Sequence, residues 1–426
     1  MQIIRYPSRD NWAGIIQRPA IDNGMLRKQV GKIIADVRKT GDRSLKRFSK
    51  KFDGVDLKKL AVGQKEIVAA EKNISESLKL PINIAIENIK RFHSIQVEEI
   101  KKIETMDGVE CWRRPTSMKR VGLYIPGGSA PLFSTVLMLG IPAHIAGCTE
   151  VVLCTPPSKD GSIHPAILYA AKKVGVTEIY RCGGAQAIAA MAYGTGSIKK
   201  VDKIFGPGNQ YVTAAKQLVQ MDGVAIDMPA GPSEVCVLAD DTANPDFVAA
   251  DLLSQAEHGP DSQVLLVTND ETLIEKTIKS LNAQLELLER KDIAAKALEN
   301  SKAILIKDMD EAMELVNEYA AEHLSIASDN AHQYGDKVIN AGSVFLGNFT
   351  PESAGDYASG TNHTLPTNGY ARAYSGVSVD SFVKKITFQQ ISKQGIQNIG
   401  KTIITMAEAE GLDAHANAVK IRLNQL

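Results

Sequence analysis

The chain has 426 residues, long enough for a large buried core and for about two to four domains. Its 49 lysines and arginines balance its 49 aspartates and glutamates, so no net field gathers nucleic acid or an anionic membrane, and neither is an expected partner. Five cysteines, at positions 111, 148, 154, 182 and 236, contain no C-x-x-C pair and cannot all be paired, which points to free thiols in a reducing compartment.

The opening MQIIRYPSRD meets charge at its fifth residue and has no apolar core before a small-residue cleavage site. No secretory signal is expected, and the expected location is the cytoplasm. Residues 20–120 read as amphipathic helices, for example "LRKQVGKIIADVRKTGDRSLKRFSKKF", with apolar positions three and four apart. The run from Val121 to Thr149 carries no Asp, Glu, Lys or Arg and is long enough to span a bilayer. Three prolines and five glycines interrupt it, so a buried strand, loop and helix explain it better than a spanning helix.

From Val121 short apolar runs alternate with helical stretches: VGLYI, a helix opening near Ser134, EVVLC, "HPAILYAAKKV", EIYRC, "AQAIAAMAY", KIF, "NQYVTAAKQLV" and VAID. Strands separated by helices imply a parallel sheet covered on both faces. The rhythm restarts with EVCVLA, "DFVAADLLSQAEH", QVLLVT, a long helical stretch through 300, AILI, "MDEAMELVNEYAAEH", LSI and SVFL. Two successive α/β units of one plan suggest a structural duplication. After about Ala373 the chain reads as helical, a tail of the kind that packs on a partner subunit. The expected divisions are 1–20, 21–120, 121–232, 233–373 and 374–426. The first is an arm, and the second is a helical segment packing with the second α/β domain.

In parallel sheets ligands bind beyond the carboxyl ends of strands. Four strand-end loops here are rich in glycine: "IPGGSAP", "CGGAQ" at 182–186, "FGPGNQ" at 205–210 and "MPAGPSE" at 228–234. Each alone reads as a tight turn, whereas four in consecutive units read as a site in which backbone and helix N-termini approach an anion. No G-x-G-x-x-G follows a strand, so a dinucleotide would be held atypically and no ribose-gripping acid can be assigned. The P-loop signature is also missing, which removes most support for ATP chemistry.

The tripeptide Ala-Glu-His occurs twice, ending at His258 and at His323, in a chain with eight histidines. Gln255 and His258 are three apart and share a helix face, a geometry open to a metal or to an ordinary structural helix. Further ligands would have to come from elsewhere. Asp356, in "ESAGDYASGTNHTLP", and His415, in "AEGLDAHANA" behind a capping Asp413, are candidates. Glu322 and His323 end a helix before the strand LSI. They could form an acid-base pair or a solvated helix terminus.

The blocks "VGLYIPGGSAPLFSTVLMLGIPAHIAGC", "GGAQAIAAMAYGT", "VDKIFGPGNQYV", "DMPAGPSEV", "SQAEHG", "EYAAEHLS", "ESAGDYASGTNHTLPT" and "AEGLDAHANA" together resemble the histidinol dehydrogenase family over nearly the whole chain. That resemblance implies two incomplete Rossmann-like parallel-sheet domains on an aldehyde-dehydrogenase-like plan, the first binding NAD and the second carrying the metal and catalysis. It also implies a helical N-terminal region and a helical tail crossing a homodimer. The implied reaction oxidises L-histidinol to L-histidine, the last step of histidine biosynthesis, in two hydride transfers to NAD through a bound aldehyde. The implied zinc, one per subunit, falls on Gln255, His258, Asp356 and His415. His323 becomes the base and Glu322 the group that activates water. Ser233 and Glu410 match further substrate contacts, and Tyr124, Gln186 and Asn209 match NAD contacts. In the implied dimer His415 completes the other subunit's site. Two rival readings remain at this point. One is a cysteine-nucleophile dehydrogenase using Cys111 or Cys148. The other is a helical assembly or metal-storage protein without NAD chemistry.

Overall fold

The computed structural model describes residues 1–19, 23–127 and 131–426, with Asn23 in backbone only. Fourteen strands among the described residues form three sheets. In chain order they are β1 (Gln2–Arg5), β2 (Lys102–Met106), β3 (Val109–Ser117), β4 (Arg120–Tyr124), β5 (Glu150–Thr155), β6 (Glu178–Arg181), β7 (Lys203–Phe205), β8 (Ala225–Ile226), β9 (Glu234–Ala239), β10 (Gln263–Thr268), β11 (Lys302–Leu305), β12 (His323–Ala327), β13 (Ser343–Leu346) and β14 (Val383–Ile391).

The first large sheet runs β6-β5-β4-β7-β8 and the second β1-β11-β10-β9-β12-β13, and every pairing in both is parallel. Numbered from its own first strand, each unit has the order 3-2-1-4-5, and β1 adds an edge to the second. The expected duplication is therefore one of topology. Alternation along the central strands explains why both faces are covered. In β9, Val235, Val237 and Ala239 enter one core while Cys236 and Leu238 enter the other. Val121 and Leu123 of β4 pack against the helix Phe133–Ile145, and Tyr124 enters the opposite core with Ile188 and Ile204.

The segment after Val121 folds as strand and buried helix, with 128–130 of "IPGGSAP" outside the described residues. Among the described residues no helix is long and apolar enough to cross a membrane.

Three expectations are corrected. The arm at 1–20 contributes β1 to the second sheet, paired to β11 from Gln2 to Arg5. The helices of 23–94 pack mainly on the first α/β unit, and Glu76–Ser94 also touches 358–362 of the second: Val30, Ile34 and Val37 share a core with Ile188 and Ala189, and Ile82 and Ile89 share one with Val136 and Leu137. Their apolar stripes complement the helices covering the first sheet. Finally, β2, β3 and β14 form an antiparallel sheet, β14-β3-β2, from stretches read as helical. Lys384, Lys385, Thr387, Gln389 and Gln390 of β14 are exposed in the single chain, so no one-sided apolar alternation marks the strand. Two helices, Lys393–Ala409 and Asp413–Leu423, pack on each other beyond it.

Candidate active site

Glu322 and His323 stand at the amino end of β12, beside Glu234 and Val235 at the amino end of β9. The helix Met309–Tyr319 stops at Ala320, whose left-handed backbone (φ 53°) turns the chain straight into the strand. Both side chains end up buried, at 6% and 4% exposure. The second sheet thus presents Glu322 and His323 at the amino ends of its strands and not at the carboxyl ends.

The helix Pro245–Ala256 follows β9 and brings Gln255 back toward the strand's start. His258 lies just past the helix end, where its N–H donates to the Gln255 carbonyl at 3.2 Å and so keeps the two within one turn. Gln255 is fully buried. With its amide turned to satisfy both neighbours it donates to Glu352 and accepts from the Glu234 N–H at 3.0 Å. Asp356 and Glu352 share the short helix Glu352–Tyr357 that follows β13.

Four carboxyl-bearing residues surround His323. Its Nδ1 lies 3.6 Å from Glu352 and 3.8 Å from Glu322, and its Nε2 lies 3.6 Å from Asp356. The backbone carbonyl of Glu234 is 3.4 Å from Nδ1. Burial opposes charge on the ring, but Glu352, Glu322 and Asp356 together outweigh it and push His323 up to about 10. Burial pushes Glu322 and Glu352 up to about 8 each, against the pull of His323. Asp356 goes the other way: burial would raise it, yet its contact with His323 keeps it below the usual carboxylate range. Divergence of this kind within one buried cluster is found at proton-transfer sites and in structural ion-pair networks alike. Two buried atoms here, His323 Nε2 and Glu352 Oε2, have no hydrogen-bond partner. His258 is open to solvent at the edge, and the protein around it still lowers its pKa, against the pull of Asp356.

Gln255, His258, Asp356, Glu322 and His323 are thus gathered, with Ser233 immediately before β9. His415 and Glu410 are not. They sit exposed at the turn between the two tail helices, beyond the β14-β3-β2 sheet. Accordingly, among the described residues no three His, Cys, Asp or Glu side chains of one chain stand close enough to hold a metal.

Tyr124, Gln186 and Asn209 line one cavity of about 1330 Å³ at the carboxyl ends of the first sheet, together with Lys32, Lys51 and Asp53. It opens where the strand order reverses between β4 and β7, the place such sheets bind ligands. Tyr124 is 3% exposed and its hydroxyl accepts the Gly184 N–H at 3.0 Å. Asn209 caps the helix Gln210–Met221, accepting from the N–H groups of Tyr211 and Val212. Gly206, just past β7 with φ 127°, leaves no room for a Cβ against the Tyr124 carbonyl.

Sequence reasoning missed Glu352. It lies one helical turn before Asp356 in the quoted "ESAGD", and that i, i+4 spacing was the available signal. The cysteines stand elsewhere. All five are free, Cys111 is on β3, and Cys148 is buried beside the Phe382 carbonyl with burial pushing its thiol up to about 11.

The family model for histidinol dehydrogenase matches residues 16–423. The histidinol dehydrogenase of Bacteroides thetaiotaomicron is 61% identical over 426 residues, covering all of both chains. That of Vibrio parahaemolyticus is 52% identical over 98% of this chain and 97% of its own. The crystal structure of histidinol dehydrogenase from Elizabethkingia anophelis superposes with a TM-score of 0.97 at 56% identity, covering 100% of this chain and 98% of that one. With a family model across nearly its whole length and relatives this similar end to end, the chain belongs to the histidinol dehydrogenase family of oxidoreductases.

Proposed function

We propose that the chain oxidises L-histidinol to L-histidine by two hydride transfers to NAD, with zinc, and so performs the last step of histidine biosynthesis. Family membership supports the reaction. The observation that carries the site is the buried Glu322–His323 pair facing Asp356, with His323 Nε2 left without a partner.

The residues fit a divalent cation. A neutral imidazole from His258, an amide from Gln255 and an ionised Asp356 make a mixed nitrogen and oxygen donor set compatible with zinc. Such an ion, when bound, fixes an amino alcohol in place and polarises its oxygen. His415 would complete the set from a second copy of this chain, with Glu410 beside the substrate. The exposed tail suits that homodimer, because alone it has few buried side chains. NAD fits the cavity at Tyr124, Gln186 and Asn209, so the unit 121–232 would hold the cofactor, 233–373 the metal and acid-base pair, and 374–426 the crossing tail. Free thiols suit a cytoplasmic setting.

His323 takes the carbinol proton as the first hydride leaves. Three carboxylates hold a proton on the free ring. With Asp356 engaged elsewhere, less negative charge faces Nε2 and the ring becomes a competent base. Glu322, in its ionised form, then takes a proton from the water that hydrates the aldehyde, and burial that lifts its carboxyl to about 8 makes that carboxylate a stronger base than an ordinary one. His323 returns its proton to the aldehyde oxygen as the hydrate forms, and so serves again as the base when the second hydride leaves. Holding one substrate for both steps can lower each barrier by several kcal/mol, on the order of what positioning supplies. The test is NADH and histidine formation from L-histidinol by purified protein, abolished by a chelator and restored by zinc. Undiminished turnover after chelation with no metal left overturns the reading.

A further inference from the structure

The turn between β7 and the helix Gln210–Met221 starts from a single buried residue. The pairing of β7 with β4 ends at Leu123–Phe205, and its pairing with β8 ends at Ile204–Ile226. Gly206 therefore carries its N–H and carbonyl past the sheet, in a backbone (φ 127°) that other residues rarely adopt. Buried backbone groups left unpaired are costly, and two side chains meet the need. The Asp227 carboxylate accepts the Gly206 N–H at 2.8 Å, and the Lys216 ammonium donates to the Gly206 carbonyl at 2.9 Å.

The same two side chains pair with each other, and their exposures are only 5% and 1%. They come from different parts of the chain. Lys216 stands on the helix that Asn209 caps. Asp227 follows β8 and opens the link 227–233 toward β9, where its other carboxylate oxygen accepts the Met228 N–H at 2.8 Å. Asn209 and Tyr211 line the cavity, as does Tyr124, whose carbonyl abuts Gly206. The ion pair thus pins the turn 206–209 at its base, between the strand of Tyr124 and the capped helix.

We propose that Lys216 and Asp227 are positioning residues for the cofactor: by holding both backbone groups of Gly206, the buried pair keeps Asn209 and Tyr124 in the arrangement that receives NAD. It rests on the reading that this cavity holds NAD. The effect reaches the cofactor through the turn. Charge makes the hold firm, since hydrogen bonds with an ionised partner are roughly twice as strong as neutral ones.

The test uses Lys216→Met, Asp227→Asn and the double variant Lys216→Met/Asp227→Asn, each loaded with zinc. Each single change strands a buried charge, whereas the double strands none, so the double is expected to unfold at a higher temperature than either single. The NADH dissociation constant, read from NADH fluorescence, is expected to rise roughly ten- to a hundredfold in Lys216→Met, on the order of a lost hydrogen bond to a charged group. A smaller rise is expected in Asp227→Asn, whose amide oxygen can still accept the Gly206 N–H. Zinc content and histidinol affinity are expected to stay unchanged in Lys216→Met, and the double variant to remain as weak for NADH as Lys216→Met despite its regained stability. Unaltered NADH affinity in Lys216→Met, affinity that returns with stability in the double variant, or an equal loss of histidinol affinity in Lys216→Met would each overturn the proposal. Should a single variant fail to fold, the double decides, and NADH bound by it as tightly as by the unaltered protein overturns the proposal. If the unaltered protein itself fails to bind NADH, it is the cofactor reading that fails.

Discussion

The Glu322 carboxylate accepts the backbone N–H of Glu234 at 3.0 Å, which ties the proposed water-activating group to the first residue of β9. An amide oxygen at the same position can accept that bond equally well. Glu322→Gln is therefore expected to fold, to bind zinc, and to retain the first hydride transfer while the second falls about a hundredfold or more, the usual weight of a general base. Stopped-flow NADH traces with histidinol and with histidinaldehyde check this, and equal loss in both steps would contradict it.

His323→Ala should slow both steps, because the same ring serves each. Its zinc content should stay near that of the unaltered protein. Elemental analysis beside single-turnover rates separates this from loss of the metal.

His258→Asn should instead lose zinc. Mixing it, under conditions that exchange subunits, with His415→Asn tests whether the tail completes a neighbouring site. Each variant alone is expected to be inactive, and the mixture to regain about a quarter of full activity, since half the dimers are then mixed and each mixed dimer has one intact site. No regain after proven exchange argues that each chain builds its own site.

The thiols give a pH expectation. Burial pushes Cys148 up to about 11 and Cys154 up to about 12. A raised thiol pKa means the nucleophilic thiolate is scarce at neutral pH and grows only as pH approaches those values. Alkylation near pH 7.5 should be slow at both, and serine at each of the five cysteines should leave turnover intact. Loss of the second oxidation alone in one of them would revive a thiol mechanism.

Arg18 holds the buried Glu234 carboxylate with two hydrogen bonds, 2.6 and 2.8 Å long, and also donates to the Tyr319 carbonyl at 2.7 Å. Glu234 is 2% exposed, so removing the guanidinium strands a buried charge. Arg18→Met is expected to cost about 3 kcal/mol in denaturant unfolding, the order seen when one member of a buried pair is removed. An unchanged midpoint would show the pair to be neutral.

The two parallel sheets could be read from the chain because their strands, such as EVCVLA and QVLLVT, are buried on both faces and so are apolar almost throughout. The antiparallel sheet could not. Residues 383–391 are mostly exposed in one chain, and whatever covers them leaves no periodic mark. The spacing of Gln255 and His258 pointed to a shared position, and the structure adds why it persists past the helix end. Glu352 stayed hidden because a lone glutamate beside a proline looks like an ordinary helix start. Only tertiary packing drives it to 1% exposure against His323.

The most direct measurement is the ratio of NADH formed to L-histidinol consumed at completion, with a trap for free aldehyde present. A single site that keeps its intermediate gives about two, with nothing trapped, and gives no NADH once the protein is stripped of metal. A ratio of about one with trapped aldehyde, or an unchanged ratio and rate in the stripped protein, would contradict the account.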